Sequence, residues 1–488
     1  MDGDASVEPT LDAFSLTLPL PYRVALIIVL ATWGWGANLH YLYLQKIDVP
    51  SLIRYPGRPS PAHLPHHHSA YRLATVTSSV LAASLLIFWV FTRHDVDRVL
   101  DLDWLPMSTL SVLGLLLILP FPLTLIKARG RRRLSNPTTI NGGANSSGGL
   151  SPPPWALPQD GRRRFAATLR RVAVGGLAEA QNGKFGDILL ADVLTSYSKV
   201  LGDLYVCICM FFFVSSRPGA SSEPSATDRP DRNCGGGVIV PLIMVMPFVA
   251  RFRQCLIEYL RVRRATRDRP FDPAVGWGGQ HLANAAKYAT SFPVVLFSAL
   301  QRNAKAAEDA GTATTTTTTT NATASATYYR LWVLAVTINS LYSFYWDVAK
   351  DWDLTLFDGA RARNAPDHPW ALRRHLLINR GHPLTYYAAI VLDLMLRCTW
   401  SLKLSPHLDH VADFESSLFL MQLLEVLRRW VWIFFRVETE WIRSTNAVPD
   451  YGQGLLGGSS TSSSISGGDI MLGDYAPKYD DGDDDDDI

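Results

Sequence analysis

The residues of this sequence that could do chemistry are ionisable side chains set deep inside long apolar stretches. Asp192, Lys199 and Asp203 fall in one such stretch and Lys287 in a second. Asp347 closes a third, Asp393 and Arg397 share a fourth, and Glu425, Arg428 and Arg429 share a fifth. A charge in a low-dielectric surrounding is expensive, so it turns inward and marks either a pair or a pathway. Lys199 with Asp203, and Asp393 with Arg397, have the i,i+4 spacing that puts each pair on one helix face, and Glu425 can reach Arg428 or Arg429. One reading is purely structural, with each pair neutralising itself so that its helix can enter a membrane. Lys287 and the Arg428-Arg429 doublet count against it. Lys287 has no acidic residue within one helical turn, and Glu425 can neutralise only one of two adjacent arginines. Surplus cation calls for an anion or for a partner from another helix. Arginine offers a planar fork of donors that suits carboxylate or phosphate, and lysine adds a point charge. The chemistry these residues point to is recognition of an oxyanion. Thr195, Ser196, Tyr197 and Ser198 supply hydroxyl donors beside Asp192 and Lys199, while Tyr288, Tyr345 and Trp400 either line the same path or simply pack.

No competing catalytic set stands out, so no enzyme activity, cofactor or metal is expected. His66, His67 and His68 are consecutive imidazoles without a carboxylate to orient them, which reads as a solvated tract before a metal site. Gly34-Trp35-Gly36 lacks the strand-loop-helix setting of a nucleotide fingerprint. The five cysteines (Cys207, Cys209, Cys234, Cys255, Cys398) lie in or beside apolar segments with no paired CxxC spacing, and are read as packing residues rather than a disulfide framework.

These charges must be carried by elements that cross a membrane. The chain has 488 residues, 48% hydrophobic, yet its mean hydropathy is only +0.07, so the apolar residues are gathered in blocks. A hydrocarbon core of about 30 Å needs about 20 apolar residues in a helix. Runs of that kind cover Tyr22 to Leu44, Tyr71 to Phe91, Leu105 to Ile126, Ile188 to Val214, Val238 to Leu260, His281 to Leu300, Tyr328 to Ala349, Pro383 to Leu402 and Ser417 to Val437. The predicted fold is an all-α polytopic bundle of about nine transmembrane helices. The first run lacks the basic start and small-residue cleavage site of a secretory signal and is expected to be retained. Basic residues cluster after Ile126, in Arg261 to Gln280 and in Lys350 to Gly381, which places those loops in the cytoplasm. Thr92 to Trp104, Ser215 to Gly237, Gln301 to Thr327 and Lys403 to Phe414 then face the other side, as does the N terminus. A net charge of +2 gives no case for nucleic acid. Phe165 to Ala180 has the basic, amphipathic spacing of a helix lying on the membrane face. Gly142 to Pro158 and the tail from Asn446, ending in Asp483 to Asp487, have the composition of disordered segments.

Six ordered stretches carry a resemblance. They are GDILLADVLTSYSKVLGDLY from Gly186, PFVARFRQCLIEYLR from Pro247, HLANAAKYATSF from His281, FYWDVAKDWDL from Phe344, VLDLMLRCTWSLKLSPHL from Val391 and LLEVLRRWVWIFFRVETEWIR from Leu423. Together they resemble the EXS family, and WGWGANLHYLYL from Trp33 resembles its Golgi branch. The resemblance implies transport of inorganic phosphate in a Golgi or other endomembrane, from lumen to cytosol. That would recycle phosphate released by glycosylation and support retention of glycosyltransferases and ER-resident proteins. It implies phosphate and membrane lipids as partners, with Golgi glycosyltransferases or coat machinery as further candidates. Carried over by motif, the phosphate path would use Asp192, Thr195, Lys287, Tyr288, Asp347, Arg397, Trp400, Arg428 and Arg429. Thr195 stands where the exporters of the family have asparagine. The stretch ahead of the first span is too short for the SPX sensor domain of those exporters, which leaves open whether inositol polyphosphates regulate the protein. The expected organisation is a lumenal tail (1–20), three helices (21–126), a basic cytoplasmic loop with a disordered part and an interfacial helix (127–184), a six-helix EXS domain (185–443) and an acidic cytoplasmic tail (444–488). The alternative is a sorting adaptor that retains glycosyltransferases through its cytoplasmic loops, with the intramembrane charges purely structural.

Overall fold

The computed structural model describes residues 13–55, 65–118, 159–213, 227, 230–232, 234, 237–268, 277–309, 315–358, 370–404 and 414–446. The expected disordered segments Gly142 to Pro158 and 447–488, and the end of the third run, lie outside the described residues. Among the described residues every regular element is helical. The helices are α1 (Ala13–Thr17), α2 (Leu20–Leu44), α3 (Val49–Leu52), α4 (His66–Thr92), α5 (Val96–Asp101), α6 (Trp104–Ile118), α7 (Gln159–Ala173), α8 (Lys184–Ser196), α9 (Ser198–Phe212) and α10 (Ile239–Asp268). They continue as α11 (Gly279–Ala289), α12 (Ser291–Asp309), α13 (Thr315–Trp346), α14 (Pro383–Arg397) and α15 (Phe414–Asn446).

By length and composition α2, α4, α5 with α6, and α10 can each cross a membrane, and α8 with α9 can do so as one span bent by 66°. The remaining long helices do not qualify by length and composition alone. Their apolar residues nevertheless face outward: Leu334, Ile338 and Leu341 on α13, Leu384, Val391 and Met395 on α14, and Leu420 and Leu427 on α15 are exposed. Their charges are inside, with Asp347, Asp393, Arg428 and Arg429 all buried. Apolar residues outward and ionised residues inward is the arrangement of a bundle solvated by lipid.

Packing between the first and last long helices is unusually close. A Cβ on Gly34 of α2 would lie 2.2 Å from the Trp430 ring of α15, and one on Gly36 3.0 Å from Tyr71 of α4. The Gly34-Trp35-Gly36 motif thus serves helix contact, the usual role of small residues in membranes. Helix α7 begins before the amphipathic stretch expected and stops earlier, at Ala173. Gly175, at φ +67°, donates to Val172 O and Gly176 donates to Arg171 O, closing the helix with the left-handed cap that glycine adopts without a Cβ penalty. Arg171 at its end pairs with buried Asp187 at 2.5 Å, and the hydrogen bond to that carboxylate raises the guanidinium pKa further.

Three further expectations are corrected. Gln301 to Thr327 is largely helix, because α12 runs on to Asp309 and α13 starts within the threonine tract, extending existing helices at a smaller cost than starting new ones. Lys199 and Asp203 form no ion pair: Asp203 instead accepts from Gln422 at 2.5 Å and lies 3.9 Å from Arg232. Cys209 and Cys234 are joined in a disulfide with Cα atoms 6.1 Å apart. Motif spacing could not reveal it, since bridging depends on proximity in the fold. Cys207 and Cys255 are buried free thiols, as expected of packing residues.

Helix ends that the charge rule puts on one side are joined by side chains. On the side opposite the basic loops, Arg23 donates to Glu415 at 2.7 Å, Arg232 donates to Glu415 at 2.6 Å, and Thr227 donates to Val99 O. The disulfide lies on this side, in agreement with an oxidising compartment. On the other side Arg261 donates to Leu177 O and Ala178 O, Lys184 pairs with Glu258 at 3.2 Å, and Arg443 donates to Lys350 O. The loop before α14 is pinned there by Glu438 of α15, which is fully buried, pairs with Arg373, and accepts from Ile378 N at 3.0 Å and Tyr386 OH at 2.5 Å. Breaking a buried pair strands its partner and costs about 3–5 kcal/mol. Glu438→Ala is therefore expected to lower the unfolding temperature of the detergent-solubilised protein sharply, and an unchanged transition would refute that role.

Candidate functional site

The helices of the second half do not run straight past one another. Helix α8 ends at Ser196 and α9 restarts at Ser198, while α11 ends at Ala289 and α12 restarts at Ser291. Helix α13 passes at Asp347 into a wide turn in which Trp352 N donates to Asp347 O five residues back, and α14 stops at Arg397. No glycine or proline lies at the break at Tyr197, whereas Pro293, three residues past Thr290, cannot donate to Ala289 O and so interrupts the helix there. At the second, Thr290 donates to Lys287 O at 2.6 Å and to Asn339 Oδ1 at 2.9 Å, so the interruption is held by the neighbouring α13. Interrupted helices at membrane depth free backbone groups and dipole ends, and are tolerated where they line protein or a wet cavity.

Around these breaks the predicted residues come together. Asp192 on α8 accepts from Arg251 Nε of α10 at 2.7 Å and from the Tyr288 hydroxyl of α11, and Arg251 Nε also lies 3.2 Å from that hydroxyl. Lys287 Nζ is 3.4 Å from Asp347 and 3.6 Å from Asp351, so its partners come from another element. Asp347, with no exposed surface, also accepts from Arg428 Nη1 at 3.3 Å and from Arg397 Nη2. One carboxylate thus gathers three cations from three helices. Arg397 holds Asp393 at 3.1 Å, the intrahelical pair expected from the spacing. Arg428 is bound to Glu425 at 2.6 Å and to Asp393 at 3.2 Å.

Arg429 differs from the rest. Its Nε donates to Ser196 Oγ at 2.8 Å, its Nη2 to Thr195 Oγ1 at 3.2 Å, and its guanidinium lies 4.6 Å over the Trp432 ring. Among the described residues no carboxylate is within ion-pairing distance of it, although it is only 6% exposed. Thr195 passes its own proton to Asp192 O at 2.7 Å, which leaves its oxygen to accept from Arg429. Trp400 stands at the margin, donating to Ser340 at 3.1 Å, while Ser340 donates to Arg397 O. Tyr345 packs against Phe357 instead of joining the cluster.

Arg251 and Asp351 are members of the network that sequence reasoning passed over. Arg251 sits inside an apolar run and satisfies the same criterion that singled out Lys287. Asp351 falls just past the end of its run, where a charge reads as a solvated loop residue.

The pattern of the EXS family matches residues 18–142 and 150–442. The chain belongs to the EXS family. It is similar to Protein ERD1 homolog 2 of Schizosaccharomyces pombe, with 25% identity over 450 residues covering 86% of this chain and 96% of the relative. It is similar to Protein ERD1 of Kluyveromyces lactis at 31% over 270 residues, 53% of this chain and 59% of the relative. It is also similar to Solute carrier family 53 member 1 of Mus musculus at 30% over 263 residues, 52% of this chain and 32% of that longer protein. This family membership extends over the first three long helices as well as the helices that carry the charge network.

The guanidinium and ammonium donors gathered here are of the kind that suits an oxyanion. These cations are already collected by carboxylates, so an incoming anion competes with fixed negative charges rather than meeting bare cations. Arg429, held by hydroxyls and the Trp432 ring and by no carboxylate among the described residues, is the donor that an anion can take with the smallest loss.

Proposed function

We propose that this protein moves inorganic phosphate across a Golgi membrane, from lumen to cytosol, through the break-lined centre of a nine-span bundle. The observation that carries the reading is Arg429: a buried guanidinium with hydroxyl partners and, among the described residues, no carboxylate within ion-pairing distance, beside Arg428, Arg397 and Lys287 at the meeting of interrupted helices. Membership of a family that includes a solute carrier supports transport as the activity. In this reading Lys287, Arg397, Arg428 and Arg429 bind the anion, Tyr288, Thr195 and Trp400 line its path, and Asp192 and Asp347 orient the cations and temper their affinity. The basic loops, the Arg171 helix and the C-terminal tail lie in the cytoplasm, and the Cys209–Cys234 disulfide in the lumen. Recycling of the phosphate released by glycosylation then supports retention of glycosyltransferases and ER-resident proteins.

The test is uptake and release of radiolabelled phosphate by liposomes holding the purified protein. Phosphate should cross wild-type vesicles in a saturable manner and should not cross vesicles holding Arg428→Ala/Arg429→Ala. Failure of a well-folded wild-type protein to move phosphate would reject transport and favour a sorting adaptor acting through its cytoplasmic loops.

A further inference from the structure

Lys199 is a cation of the bundle that the site described above does not use. It lies two residues past the break at Tyr197, and its neighbours Ser198 and Val200 are buried while Lys199 itself is accessible. That access is not toward lipid. At about 100° per residue, the exposed residues of α9, Ile208 and Phe212, fall about 180–220° round the helix from Lys199. The residues on its own side, Val206 and Met210, are buried. Lys199 therefore points into the bundle and is accessible there.

Glu425 on α15 repeats the pattern. Its side chain is 35% exposed, yet the outward residues of that helix, Leu420 and Leu427, lie about 200° away. The two accessible side chains face the same interior, and Glu425 and Asp203 are the carboxylates whose charges act on Lys199. Neither is close enough for an ion pair, Glu425 being engaged by Arg428 at 2.6 Å and Asp203 by Gln422 at 2.5 Å. Ser196, three residues before Lys199, accepts from Arg429 at 2.8 Å. From Lys199 helix α9 continues toward Cys209, whose disulfide partner lies in the loop on the side away from the basic segments.

We infer that Lys199 is a second anion-binding position, an outer station for phosphate on the disulfide-bearing side of the bundle, from which the anion passes along Glu425 and Ser196 to Arg428 and Arg429. The inference rests on the transport reading above and deepens it. An unpaired ammonium in a water-accessible interior attracts phosphate as a point charge and releases it readily, because its four-carbon stem is flexible and its hydration is easily restored. Glu425 limits how tightly the anion is held there, since it repels the anion while binding the arginine that receives it.

The experiment compares wild type, Lys199→Gln and Lys199→Arg in liposomes, with phosphate presented to one face at a time. For Lys199→Gln the KM for phosphate on the disulfide-bearing face should rise about tenfold, with maximal flux and the KM on the other face changed less than twofold; Lys199→Arg should restore the wild-type value. Independently, Lys199→Cys in a Cys398→Ser background should react with the permanently charged, membrane-impermeant 2-(trimethylammonio)ethyl thiosulfonate from the disulfide-bearing face only. Phosphate should slow that reaction, and the fixed positive charge it adds should recover part of the lost affinity. Saturable wild-type flux with an unchanged KM in Lys199→Gln, or a thiol that does not react from that face, would overturn the inference and leave phosphate transport standing. A wild-type protein that moves no phosphate would remove both.

Discussion

Replacing Arg429 with alanine should reduce phosphate flux at least about 100-fold, equivalent to about 2.7 kcal/mol at 1.36 kcal/mol per tenfold, while leaving the thermal transition of the protein within a few degrees of wild type. The two halves of that expectation have one cause. A buried cation without an ionised partner costs folding energy, because desolvation is not repaid by an ion pair. Its removal strands only the hydroxyls of Thr195 and Ser196, and Thr195 keeps its bond to Asp192 O. Stability therefore does not depend on Arg429, which leaves ligand binding as what it serves. Arg397 and Arg428 are less clean targets, since each holds Asp393 and Asp347 and its loss would leave buried carboxylates uncompensated. Arg429→Lys should fall between, keeping the charge and losing the fork of donors. Full flux in a folded Arg429→Ala protein would sink the assignment of this residue and with it the reading of the site.

How much of this was legible in the sequence depended on the kind of interaction. The helical class, the inward charges and the Asp393–Arg397 pair follow from periodicity and i,i+4 spacing, which are local properties, and the structure bears them out. So does the argument that Glu425 can satisfy one arginine only: it takes Arg428, and Arg429 turns to hydroxyls. What spacing could not show is the outcome of competition between helices. Lys199 and Asp203 are spaced to pair and do not, because Gln422 and Arg232 reach Asp203 from elsewhere. Lys287 had no local partner and finds two on another element. The break at Tyr197 carries no proline or glycine, so its cause is tertiary, whereas the one at Thr290 follows from Pro293, which cannot bond to Ala289 O, and is held by the Thr290–Asn339 bond. Cys209 and Cys234 are separated by 25 positions and joined only by the fold. Arg251 was open to the same criterion as Lys287 and shows that the criterion was sound.

Asp347→Asn should make the stability of the protein depend on phosphate. In the wild type this fully buried carboxylate accepts from Lys287, Arg397 and Arg428, so it occupies the position where their charge converges. Asparagine keeps the shape and one acceptor oxygen but removes the charge, leaving three cations to repel one another in a low-dielectric surrounding. The loss of a partner from a buried ion network costs about 3–5 kcal/mol. An anion that enters the site repays part of that cost, because a ligand that binds only the folded state stabilises it by RT ln(1 + [L]/Kd). Without phosphate the variant should unfold well below wild type, and millimolar phosphate should raise its transition by more than it raises that of the wild type. Binding and flux should then part company: with its fixed competitor removed the anion is held more tightly, and it leaves more slowly, so maximal flux should fall even as the half-saturating concentration falls. A purely structural network makes the opposite forecast. In that case the variant is destabilised to the same extent with phosphate or with chloride, and no concentration of phosphate separates the two melting curves.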